Sequence, residues 1–129
     1  MGLAEKQAWA TWNSNIKTQY VDMLKGYTGT PVELNVDEAS FPNAELINGY
    51  ASWPCDQVVQ AFKNISSDDL GKKALADTIK TVTIKYLNEG PATLHLDGHT
   101  LTVCGKFNGS AQTDYHYGDA IYNFLMEKL

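Results

Sequence analysis

Residues 92–104, Ala-Thr-Leu-His-Leu-Asp-Gly-His-Thr-Leu-Thr-Val-Cys, read as a β-hairpin. Asp97-Gly98 sits between two runs that alternate apolar and polar residues, and Asp-Gly in that setting is the strongest short-range hairpin signal. With those two residues as the loop, Leu96 faces His99, Leu94 faces Leu101 and Ala92 faces Val103, so the aliphatic side chains share one face. Thr93, His95, Thr100, Thr102 and Cys104 share the other. A slip of one residue would turn every leucine to water, so the alternation itself constrains the register.

Working outward, Val82, Ile84 and Tyr86 alternate with Thr81, Thr83 and Lys85, which predicts a strand just upstream. Asn88-Glu89-Gly90-Pro91 turns the chain between that strand and the hairpin, giving a three-stranded antiparallel meander. Before it, Leu70, Ala74, Leu75, Thr78 and Ile79 have helical spacing, with Ser66 or Ser67 as cap and Asp68 and Asp69 in the first turn. Pro54 suits a helix start, and Cys55, Val58, Val59, Phe62 and Ile65 continue at helical intervals. Residues 39–52 carry Pro42, Asn48 and Gly49, so irregular structure is expected there, with a helical turn around Ala44 to Ile47.

Val32, Leu34 and Val36 against Glu33, Asn35 and Asp37 predict an early strand. Trp9, Trp12, Ile16, Tyr20, Met23 and Tyr27 recur every three or four residues, the stripe of an amphipathic helix from Ala4 to Lys25, ended by Gly26 and Gly29. Downstream of the hairpin, 105–113 is a turn-rich loop, and Tyr117, Ala120, Ile121, Phe124 and Leu125 form the apolar side of a last helix with Asp114 as a possible cap. The expected fold is α+β: a four-stranded, mainly antiparallel sheet, one early strand plus the C-terminal meander, covered on one face by about four helices.

At 129 residues and 43% apolar, the chain suits one hydrophobic core, a single domain over 1–129. No apolar run approaches the ~20 residues of a membrane-spanning helix. The first residues lack the pattern of a secretory signal, so a cytoplasmic, soluble protein is expected. Ten Lys against fifteen Asp and Glu give a net charge of −5, and there is no Arg at all. That balance argues against nucleic acid as a partner, and the missing guanidinium removes the usual bidentate tool for phosphate and guanine.

The chain contains no phosphate loop, nucleophile elbow or zinc-protease motif. Cys55, near a helix start, is a candidate nucleophile because backbone N–H groups and the helix dipole lower a thiol pKa; its neighbours Val58, Val59 and Phe62 give the alternative of a buried structural cysteine. His95 and His99 fall on opposite faces in the hairpin register, and Cys104, opposite Pro91, lies four residues and so ~13 Å from His95, so no metal site and no cofactor are expected. His116 reads as a surface residue at the start of the last helix. The threonine face, from Thr81 to Thr102, is either a polar binding surface or the wet side of a half-buried sheet.

Three functions remain open. A small non-catalytic protein-interaction domain, of inhibitor, immunity or adaptor type, would use Glu33, Asp37 and Glu38 against a basic partner. A small-molecule domain would use a pocket at Trp9 and Trp12, between the sheet and the first helix. A cysteine-dependent enzyme would use Cys55.

Overall fold

Helix begins near the amino end, where the computed structural model, which describes residues 1–129, has an α-helix over Leu3–Trp12 (α1), a π-helical turn over Asn13–Lys17 and a second α-helix over Thr18–Thr28 (α2). The π turn bonds i to i+5 and so takes up an extra residue between the two α-helices. Trp9, Trp12 and Tyr20 are buried at the expected places, but Leu24 and Thr28 are buried where a 3.6-residue period pointed to Met23 and Tyr27. Met23 faces water. Gly26 lies inside α2; Gly29 closes it with φ 78° and its N–H on the Lys25 carbonyl (2.7 Å), a left-handed cap that suits a residue without Cβ.

Strand β1 spans Glu33–Val36, and a short 3₁₀ turn over Glu38–Ser40 follows it. The expected helical turn near Ala44 extends to a full helix, Ala44–Tyr50 (α3), because the Asn43 side chain accepts the Leu46 N–H at 2.8 Å and caps it. Helix α4 spans Ser52–Ile65, starting two residues before Pro54, and α5 spans Asp69–Thr78. Its cap is Asp68, whose carboxylate accepts the Gly71 N–H at 2.6 Å, not Ser66 or Ser67. The remaining elements are β2 (Thr81–Tyr86), β3 (Thr93–Asp97), β4 (Thr100–Gly105) and α6 (Gly118–Lys128).

The four strands form one mixed sheet in the order β1-β2-β4-β3. β1 is parallel to β2 and β2 is parallel to β4; the only antiparallel pair is β3 with β4. The expected mainly antiparallel meander is therefore corrected: β4 inserts between β2 and β3. The burial of each strand explains the exchange. Leu101 and Val103 of β4 are fully inside, as an inner strand requires, whereas β3 leaves Leu94 and Leu96 part-exposed and His95 and Asp97 exposed, as suits an edge. The connection 87–92 is long enough to step past one strand position.

The hairpin turns at Gly98-His99, one residue later than Asp97-Gly98. Gly98 has φ 61° and His99 does not share the positive φ, the sign pattern of a type II′ turn with glycine first. Leu96 consequently pairs with Leu101 and Leu94 with Val103. The register moves by two residues from the expected one, so every side chain keeps its face. The apolar face, with Leu34, Val82, Ile84, Leu101 and Val103, joins Trp9, Leu24, Ile47, Val58, Phe62, Leu75, Ile121 and Leu125 of the helices in one core.

Candidate functional site

Beyond the parallel strands' carboxyl ends the chain gathers aromatic residues, and the loop after β4 carries them from the core to the surface. That loop is tied down along its length. The Lys106 N–H donates to the Asp114 carbonyl at 2.7 Å, Asp114 N–H to the Ala111 carbonyl at 3.0 Å, and Ala92 N–H to the Thr113 carbonyl at 2.8 Å. The Asp114 carboxylate accepts the Ala111 N–H at 2.9 Å, and the Tyr86 hydroxyl donates to the Asn108 side chain at 2.8 Å. At the loop's exit the buried Gln57 side chain accepts the Gly118 N–H at 2.8 Å. Asp114 thus fastens the loop instead of capping α6.

Tyr115, His116 and Tyr117 alternate in direction through this segment. His116 turns towards β3, with Nε2 3.3 Å from the Ala92 carbonyl. Tyr115 and Tyr117 turn the other way and meet Trp53 from the first turn of α4. The three rings contact each other edge to face: Trp53 to Tyr115 at 4.7 Å, Trp53 to Tyr117 at 5.5 Å, and Tyr115 to Tyr117 at 5.4 Å between centroids. Such pairs are worth ~0.5–1.5 kcal/mol beyond area burial. Tyr117 nevertheless remains 56% exposed.

Inward, the chain of rings continues from Trp53 to Phe107 (6.5 Å), Phe107 to Phe41 (6.2 Å), Phe41 to Trp9 (5.1 Å) and Trp9 to Trp12 (5.7 Å). The Trp12 indole N–H then donates to the Ser52 hydroxyl at 3.0 Å, beside Trp53. The outer rings stand on a rigid aromatic base. A hollow of about 450 Å³, lined by Ser110, Ala111, Gln112, Tyr115 and Tyr117, adjoins them. The neighbouring Tyr117 phenol, then burial and the charge of Asp114, hold the Tyr115 hydroxyl above its ordinary pKa.

The residues singled out from sequence are dispersed. Trp9 and Trp12 are buried in the core, and neither lines any of the larger hollows. Glu33 begins β1, and Asp37 and Glu38 follow its end, so they sit at opposite ends of the strand. Glu38 accepts the Asn13 side-chain N–H at 3.0 Å, which ties the π turn to the 3₁₀ turn. Cys55 is 2% exposed, and burial, then the charge of Asp56, push its thiol up to about 12. Its Sγ lies 3.7 Å from the carbonyl oxygen of Ala51, the residue that precedes α4. Such a thiol stays protonated at neutral pH, whereas catalysis needs the thiolate.

The histidines do not converge. His99 places Nδ1 2.8 Å from the Thr78 carbonyl oxygen, His116 lies against Ala92, and His95 is on the open face of the sheet. Cys104 pairs with Thr93, not Pro91, which puts it two residues from His95. No group of three or more His, Cys, Asp or Glu side chains could hold a metal ion.

The open sheet face is a grid of polar side chains: Glu33, Thr81, Thr100 and Asp97 in one row, Asn35, Thr83, Thr102 and His95 in the next. Sequence reasoning missed the Trp53–Tyr115–Tyr117 cluster, having placed Tyr117 on the buried side of the last helix. The period-two spacing of Tyr115 and Tyr117, in a stretch with no strand partner, was the available signal. No protein-family model, curated protein or solved structure matches this chain.

Proposed function

We propose that this chain is a small, acidic, non-catalytic protein-interaction domain of inhibitor, immunity or adaptor type, which docks a basic partner against the Trp53–Tyr115–Tyr117 surface. The observation that carries the reading is that cluster: a tryptophan of α4 in mutual edge contact with two tyrosines of a fastened loop, with Tyr117 open to solvent. Trp and Tyr dominate the energetics of interfaces because they bring large contact area with few rotors to freeze. A prefixed loop lowers the ordering cost of binding.

Acidity supplies the second half. The chain carries −5 overall; Asp114 and Asp119 flank the two tyrosines in sequence, and Asp37 and Glu38 lie at the same end of the sheet. Complementary charge would speed encounter with a basic surface and exclude acidic ones. Glu33, at the far end of β1, belongs to this reading only as part of the general field.

The test is affinity capture from the source organism's lysate with wild type and Tyr117→Ala at low and high salt. A partner held by wild type, weakened about thirtyfold or more by Tyr117→Ala, as for a hot spot of ~2 kcal/mol, and released by salt supports the reading. The same proteins retained by both chains at both salt concentrations would sink it.

A further inference from the structure

The hydrogen-bond pattern leaves the β3 edge of the sheet open in a way that matches itself. Along β4, the His99 and Gly105 carbonyls accept N–H groups of Thr81 and Leu87 on the β2 side. Backbone groups alternate sides along a strand, so Thr100, Thr102 and Cys104 serve β3, and their partners Asp97, His95 and Thr93 answer them. Leu94 and Leu96 therefore direct their N–H and C=O groups away from the sheet. One end of this edge is closed by Thr113 and His116, which engage the N–H and carbonyl of Ala92; the other ends in the turn at Gly98. Beside it, a hollow of about 390 Å³ lies between β3 and the α6 residues Phe124 and Lys128.

We propose that a second copy of this chain occupies the edge, pairing antiparallel to β3 about a two-fold axis through His95, so that two four-stranded sheets become one. In that register Leu94 faces Leu96 of the second copy and exchanges both backbone bonds with it, and the two-fold repeats the pair. All the free groups of the edge are used. His95 faces His95 of the second copy, and Asp97, the one carboxylate of β3, faces the Thr93 hydroxyl of the second copy. No like-charged carboxylates are opposed. Gly98 of the second copy arrives opposite Ala92, whose outward backbone groups Thr113 and His116 already engage.

The two-fold also sets α6 beside its copy on the same side of the sheet, over the part-exposed Leu94, Leu96 and Phe124. The groove presents Asp97 and Lys128 together, so it does not select a basic peptide. Isologous pairing of this kind is the commonest route to a soluble oligomer.

The register makes a sharp test with the full chain. His95→Cys puts two thiols opposite each other, with Cβ atoms ~4.5–5.5 Å apart. Asp97→Cys leaves its thiols four residues apart across the axis, ~13 Å. On mild oxidation His95→Cys should form a covalent dimer at least about ten times faster than Asp97→Cys, a difference of ~1.4 kcal/mol in barrier. Leu94→Pro removes only an outward-facing N–H, so it should keep the fold yet weaken self-association in sedimentation about tenfold or more.

Salt should strengthen this contact, since two chains of −5 repel, which is opposite to the salt response of a basic partner at Tyr117. A chain that stays monomeric at millimolar concentration, or equal cross-linking by the two cysteine variants, overturns the proposal. Should Leu94→Pro fail to fold, the cysteine pair decides alone.

Discussion

Trp9 takes its indole N–H into the core with no acceptor, while Trp12, packed against it edge to face, finds Ser52. An unsatisfied buried donor costs ~1–3 kcal/mol, which offsets part of what the large ring contributes. Trp9→Phe should therefore destabilise far less than Trp9→Ala, which loses ~3–5 kcal/mol as a cavity substitution; urea unfolding of both variants measures the gap. Two other core groups make the fold sensitive to alkali. Burial raises the Cys55 thiol from 9.0 to about 12, and burial together with the 2.7 Å hydrogen bond to Asp56 raises the Tyr20 phenol above its usual 10.0. Both groups ionise more readily when unfolded, so their contribution is complete below pH ~9 and is lost as pH rises towards 12. Stability should hold from pH 7 to 9 and then fall, and Cys55→Ala should lose less than wild type between pH 8 and 11 in denaturant titrations.

Helices in this chain differ in what their glycines do. A Cβ at Gly26, inside α2, would meet nothing within 4 Å. At Gly71, in the first turn of α5, it would run into the Ile65 carbonyl oxygen at the end of α4. Gly26→Ala should therefore stabilise by ~0.5–1 kcal/mol, following helix propensity, while Gly71→Ala destabilises despite the same gain. Chemical denaturation of the two variants should give opposite signs. The π turn at Asn13–Lys17 shows where element reading from sequence stops: the stripe was legible up to Tyr20, after which Leu24 and Thr28, four and eight residues on, are buried in place of Met23 and Tyr27. Nothing local announces that turn; what meets it is Glu38, from another part of the chain, holding Asn13.

Across the whole molecule one sheet face is packed and the other is a wet grid of threonines, so the surfaces that stand out are the aromatic cluster at one end and the β3 edge at the side. Tyr117→Ala should keep the fold and lower urea stability by no more than ~1–3 kcal/mol, the worth of its two edge contacts with Trp53 and Tyr115, even where it abolishes capture of a partner. That separation would locate its role on the surface. Period and turn chemistry alone determined the strands, the sidedness of the hairpin and the helices other than α3 and the π turn, because each rests on contacts between near neighbours; even a turn displaced by one residue kept every leucine on its face. Strand order was decided only in the folded molecule, since the same alternation in Thr81–Tyr86 can pair with either arm of the hairpin, and burial of Leu101 and Val103 under the helices selects β4. The meeting of Trp53 with Tyr115 and Tyr117 was likewise decided by tertiary structure: no periodicity links positions more than sixty residues apart, and it is the closure of the loop on Gln57 and Asp114 that brings them together.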